Sequence, residues 1–173
     1  MFRTITKSVE AVRTLLHLRG HIDDRLDDVL FAQGTMLART AREWSGARLS
    51  DHEFKVFSQW GHDGIIQKLV RHVDIPNKVF VECGVQDFRE ANCRFLMMHD
   101  NGRGLVMESN ENDIQKRRGS SMAWRYHLAS VNAFVDCGNI EALIAKVGFG
   151  NDIGILSIDI PAGGQRRHRA LAV

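Results

Sequence analysis

Glu82, Gly84, Glu108 and Asp159 are the residues whose types and spacing could do chemistry. Glu82 and Gly84 close the apolar run VFVEC in Val79–Asp87, Glu108 closes GLVME, and Asp159 stands near the end of IGILSIDI. A carboxylate at a strand end can accept hydrogen bonds from hydroxyls or an amine, and a neighbouring glycine lets backbone come close to a small molecule. In an open parallel sheet, ligands sit beyond the carboxyl ends of the strands, where the strand order reverses. The three acids are therefore expected around one pocket.

Glu108 lies 24 residues beyond Gly84, close to the spacing at which nucleotide-binding folds place an acid on ribose hydroxyls. That spacing suits NAD or S-adenosylmethionine equally. A dinucleotide needs G-x-G-x-x-G to bring backbone amides to its pyrophosphate, whereas this turn reads GVQDFRE, with a single glycine and two further acids. Carboxylates repel a pyrophosphate but suit a sulfonium cation and an amino group, so S-adenosylmethionine is the preferred cofactor.

The elements that must position these residues follow from periodicity. Val12, Leu15, Ile22, Leu26, Val29 and Met36 recur at 3–4 spacing, with Arg19 and Gln33 interrupting the seam. They predict an amphipathic N-terminal helix, broken at Gly20 or Gly34, that packs on its own domain or on a partner helix, or serves as a coiled-coil dimerisation arm. Residues 41–55 read as a connection. Ile66, Leu69, Val70 and Val73 predict a helix begun near Asp63 and stopped before Pro76. Strand Val79–Cys83, helix Glu90–Met98, strand Gly104–Glu108, a partly helical stretch Asn110–Ala123, strand Val131–Asp136, helix Ile140–Val147 and strand Ile153–Ile160 follow. This alternation predicts an α/β fold with a Rossmann-like, mostly parallel sheet and an N-terminal helical extension. The expected divisions are the extension at 1–50, the cofactor-binding domain at 51–160, and a basic tail at 161–173 with no apolar periodicity.

Composition narrows the function classes. A chain of 173 residues with 44% hydrophobic and 25% charged residues suits one domain with a real core. The net charge of +2, from 23 basic and 21 acidic residues, gives no footprint for nucleic acid, and the Arg166–Arg169 run is short and lacks interleaved aromatics. Cys83, Cys93 and Cys137 have no C-x-x-C spacing, so reduced thiols are expected rather than a disulfide framework or a zinc site. The histidines at 52, 62, 72, 99, 127 and 168 lack metal-ligand spacing and read as surface or loop residues. With neither a membrane-length apolar run nor a signal peptide, the protein is expected to be cytoplasmic.

The segments FSQWGHDGIIQ, FVECGVQDFREANCRF, GLVMESN and LSIDI resemble, in order and spacing, the FkbM family of class I S-adenosylmethionine-dependent methyltransferases, over Phe57 to Asp159. The resemblance implies that Glu82 and Gly84 lie under the methionine part of the cofactor and that Glu108 binds its ribose. Asp136 would lie near adenine, and Asp159 would face the methyl group or serve as the base toward an acceptor. Ser58, Gln59 and Asp63 would flank the pocket, with Asn92 on the helix after the first strand. Methylation of a hydroxyl on a small molecule or sugar is the implied reaction, with no metal ligands assigned. His62 stands where the family has Glu, Ala91 and Cys93 flank Asn92 where Ser and Thr are usual, and Pro161-Ala162-Gly163 replaces the acidic and glycine continuation. The family's sheet has seven strands and this chain supplies four before Pro161. The expectation is therefore a methyltransferase truncated by a frameshift at Pro161, which keeps the cofactor half of the site, lacks the acceptor half and so leaves activity open, with its last strand an exposed apolar edge. An NAD-linked oxidoreductase and a non-catalytic interaction domain, dimeric through its N-terminal helix, remain the alternatives.

Overall fold

The computed structural model describes residues 2–75, 77–149, 153–159, 161–162, 165–166 and 169–172; Pro76, Ile160, Gly163 and the Arg167–His168 part of the basic tail lie outside the described residues. The chain folds as helix α1 (Phe2–Thr40), two short 3-10 turns, α2 (His62–His72), β1 (Val79–Cys83), α3 (Arg94–Asp100) and β2 (Arg103–Glu108). Then come α4 (Glu111–Arg118), α5 (Ser121–Arg125), β3 (Leu128–Asn132), α6 (Ile140–Lys146) and β4 (Ile155–Ile158), followed by β5 (Pro161–Ala162), β6 (Gln165–Arg166) and β7 (Arg169–Ala172).

Four strands run parallel in the order β3-β2-β1-β4, so the sheet reverses direction of growth between β1 and β4. This is the Rossmann-like α/β arrangement that the alternation predicts. Both faces of the sheet are covered, which is why its strands read as continuous apolar runs. Phe80, Val106 and Ile155 pack toward Ile66, Leu96 and Met97 of α2 and α3. Val81, Cys83, Leu105 and Met107 pack on the opposite side against Ile140, Leu143 and Ile144 of α6.

Three expectations change. The third strand is Leu128–Asn132 rather than Val131–Asp136; its register, with Gly104 beside Leu128 and Glu108 beside Asn132, places Ala133–Asp136 beyond the sheet. The edge of β4 is not bare: β7 pairs with it antiparallel, from Ile155 opposite Ala172 to Ile158 opposite Arg169. Part of the tail thus has a strand partner, which the lack of apolar periodicity concealed.

Helix α1, finally, is unbroken at either glycine. A Cβ on Gly20 would meet nothing within 4 Å, whereas one on Gly34 would lie 2.5 Å from Val56 Cγ2 and 2.8 Å from the Phe95 ring. Gly34 is therefore a point of close approach between α1 and the domain, and not a hinge. Alanine is the better helix former by up to about 1 kcal/mol, but overpacking against two buried side chains costs about 1–3 kcal/mol. Gly34→Ala is expected to lower the urea midpoint of unfolding while Gly20→Ala raises it, a comparison that denaturant titration of the two variants decides.

Candidate functional site

At the point where the strand order reverses, the carboxyl ends of β1 and β4 open into a cleft of about 520 Å³. Its floor holds Glu82, Gly84 and Asp159; the turn Val85–Ala91 forms one wall; Lys55, Val56, Phe57 and Gln59 form another; and Asp27 and Leu30 of α1 lean over it. The cleft lies where ligands of open α/β sheets bind.

Glu82 occupies the same face of β1 as Phe80, with Val106 and Ser157 beside it in register. It is 1% exposed. Its Oε1 accepts from Asn92 N–H at 2.8 Å, its Oε2 from Cys93 N–H at 3.0 Å, and Ser157 Oγ lies 3.5 Å from Oε1. Burial pushes its pKa up to about 7, against the lowering effect of those two amides, and the charge of Asp159 adds to the rise. The same burial, with Glu82 nearby, pushes the Cys83 thiol up to about 12 and the Cys93 thiol well above its ordinary value. Neither thiol is a nucleophile in this setting.

The Asn92 side chain joins two elements behind the floor. Its Nδ2 donates to Ser157 Oγ at 3.2 Å, and its Oδ1 lies 3.0 Å from His62 Nδ1. Asp63, at the start of α2, does not reach the cleft. One of its oxygens, Oδ2, accepts from the amides of Val56, Phe57 and Ser58 at 2.7, 2.9 and 2.9 Å and from Ser58 Oγ at 2.8 Å, while Asp63 N–H donates to Ser58 Oγ. Burial raises the Asp63 pKa against these donors. Asp63 and Ser58 thereby fix the 56–58 segment whose Val56 and Phe57 line the cleft. Gln59 does line it, donating to Glu90 at 2.7 Å.

Glu108 sits behind the wall rather than in it. Its Oε2 accepts from Gln86 N–H at 2.8 Å and its Oε1 from Ser109 and Asn110 N–H, so the carboxylate shapes the turn that ends at the cleft. Asp136 is exposed in the turn before α6, where its Oδ1 accepts from Gly138 N–H at 2.8 Å, and it does not line the cleft.

The turn above the floor is strained. Gly84 has φ 80°, which glycine accepts, but Gln86 and Phe88 have φ 50° and 70°. Left-handed backbone at a bulky residue costs on the order of 1–3 kcal/mol and persists only where its surroundings hold it. Here the holder is Arg117, 2% exposed, which donates to Gln86 O at 2.6 Å beneath the turn while Phe88 is locked in the core. Arg94 holds the α1 side: its guanidinium lies 4.0 Å from the Phe57 ring centroid, pairs with Asp27 and donates to Arg89 O at 2.9 Å, while Arg89 pairs with Asp23. Sequence reasoning does not single out Arg94, Arg117 or Asp27. Their partners are 67 residues away in one case and 31 in the other, beyond any local spacing.

Five acids line the cleft (Asp27, Glu82, Asp87, Glu90, Asp159) against three bases (Lys55, Arg89, Arg94). Among the described residues no group of three His, Cys, Asp or Glu side chains is placed to hold a metal ion, and no helix is long and apolar enough to cross a membrane. Fold and cleft together define an α/β protein with a ligand-sized site at its switch point. Neither a family model, a curated protein nor a solved structure matches the chain.

Proposed function

We propose that the cleft binds S-adenosylmethionine and that the protein belongs with the class I methyltransferases its sequence resembles, acting on a hydroxyl of a small molecule or sugar. One observation carries this reading over the NAD-linked alternative. The amides of Asn92 and Cys93, at the start of α3, are committed to the Glu82 carboxylate, so the helix start that would receive a pyrophosphate in a dinucleotide fold already faces an anion. The excess of acids around the cleft suits a ligand carrying a sulfonium and an amino group.

In this reading Glu82 and Gly84 underlie the methionine portion and Asp159, on the same floor, takes the acceptor proton. Methyl transfer is an in-line displacement: the acceptor oxygen forms its bond to the methyl carbon as the carbon–sulfur bond breaks, and the hydroxyl proton passes to the base. The protein's part is to align oxygen, carbon and sulfur and to hold that base within reach. Glu108 acts from behind the wall: its bond to Gln86 N–H holds the turn against which the ligand would lie.

Calorimetry with S-adenosylmethionine, its demethylated product and NAD tests the proposal. The first two are expected to bind and NAD not to, and Glu108→Ala is expected to weaken binding by about tenfold, or about 1.4 kcal/mol. Binding of NAD alone, or no binding of any of the three, contradicts it.

A further inference from the structure

Arg117 sits where the fold has no need of a charge. It follows buried Ile114 on the inward face of α4, while its neighbours Lys116 and Arg118 are exposed. An apolar side chain is the expected occupant of such a position. Arg117 is instead 2% exposed, and among the described residues it has no ion pair. Its Nε and Nη1 are buried without a protein acceptor. Burial disfavours its charge, and the fields of Glu108, Asp113 and Asp87 only oppose that effect. A buried guanidinium with unmade hydrogen bonds weakens a fold, and an apolar side chain of similar volume in place of a buried charge is often neutral or stabilising.

What Arg117 reaches is the cleft turn, at both of its left-handed residues other than glycine. Nη2 donates to Gln86 O at 2.6 Å, and the guanidinium carbon lies 5.9 Å from the Phe88 ring centroid. Gln86 is held from its other end as well, its N–H donating to Glu108 Oε2 at 2.8 Å. These two bonds grip the peptide groups on either side of the Gln86 Cα and so hold its φ at 50°. The turn closes over the same residues, with Phe88 N–H donating to Val85 O at 2.9 Å, and sets Gln86 and Asp87 in the cleft wall.

We propose that Arg117 is a positioning residue for the cleft: with Glu108 it clamps the strained Gln86 backbone, so that the wall has its binding shape before a ligand arrives. The buried charge lowers the stability of the fold and raises the preorganisation of the site. Neither residue needs to touch the ligand. The effect on affinity rests on the S-adenosylmethionine reading of the cleft; the shape of the turn does not.

Arg117→Met tests the clamp. Urea titration is expected to give a midpoint equal to or above that of the natural chain. In ligand-free NMR spectra, the strong intraresidue HN–Hα cross-peak that a positive φ produces is expected at Gln86 of the natural chain and is expected to weaken in the variant. Calorimetry is expected to show about tenfold weaker binding of S-adenosylmethionine. That loss depends on strain at residue 86. In a Gln86→Gly background, where left-handed backbone carries no steric penalty, the same Arg117→Met change is therefore expected to cost less than about threefold. A lowered midpoint or a variant that does not fold would make Arg117 an ordinary part of the core and overturn the proposal. An unmoved Gln86 cross-peak, or equal losses of affinity in the two backgrounds, would overturn it too. If the natural chain binds no S-adenosylmethionine, the reading of the cleft fails, and the cross-peak and the midpoint decide the clamp.

Discussion

Asp63→Ala is expected to destabilise the protein by about 3–5 kcal/mol without removing any atom that lines the cleft. The substitution leaves the amides of Val56, Phe57 and Ser58 and the Ser58 hydroxyl without their common acceptor, Asp63 Oδ2. Val56, Phe57, Ser58 and Asp63 are all buried, so water does not simply replace the carboxylate, and each orphaned donor costs on the order of 1–3 kcal/mol. Asn at this position keeps one acceptor oxygen but loses the charge, and is expected to cost about half as much. Urea titration of both variants measures the difference. A loss under about 1 kcal/mol for the alanine variant would show that the 56–58 segment holds its shape without Asp63, and that the SQWGHD stretch has some other role.

Glu82→Gln is expected to change how stability depends on pH. In the folded protein Glu82 titrates near pH 7, against an ordinary value of 4.5. Between those values the folded state holds a proton that the unfolded chain has released, so stability falls as pH rises. Integrated over the interval, the carboxyl contributes a loss of about 3 kcal/mol between pH 4.5 and pH 7. Below pH 4.5 both states hold the proton and the penalty vanishes; above pH 7 it is fully present. The glutamine variant has no such proton. Subtracting its pH profile from that of the natural chain should isolate a slope of this sign and size; a flat difference, or stability rising across the same interval, would mean Glu82 is ionised throughout. The same group links to the proposed ligand. A sulfonium or ammonium near Glu82 favours its charged form, so affinity for S-adenosylmethionine should strengthen as pH rises toward 7.

Much of the sheet is legible in the sequence because its strands are buried on both faces. VFVEC, GLVME and IGILSI announce themselves as apolar runs, and their ends carry the residues that form or support the cleft floor. The third strand, LASVN, is only partly buried along its length, so it lacks such a run and the more apolar VNAFV draws the eye past it. Glycine in α1 reads as a break, yet Gly34 serves the opposite purpose, letting Val56 and Phe95 approach the helix. For the site, spacing after the strands is enough to find Glu82, Gly84 and Asp159. It is silent on Arg94 and Arg117, because a buried guanidinium that clamps a turn from another element leaves no periodicity behind. Spacing reads Glu108 as a ligand residue, and the family resemblance adds Asp136 and Asp63; none of the three lines the cleft, and their carboxylates accept from main-chain amides of the surrounding loops.

Backbone amide NMR of the full chain titrated with S-adenosylmethionine is the most direct test of the central claim, because it reports binding and its location together. The account predicts shifts concentrated at Gly84–Ala91, Gln59 and Asp159, around the cleft between β1 and β4. A spectrum that does not move, or one that moves only at the opposite end of the sheet around Gly102, Gly154 and Ile155, would contradict it.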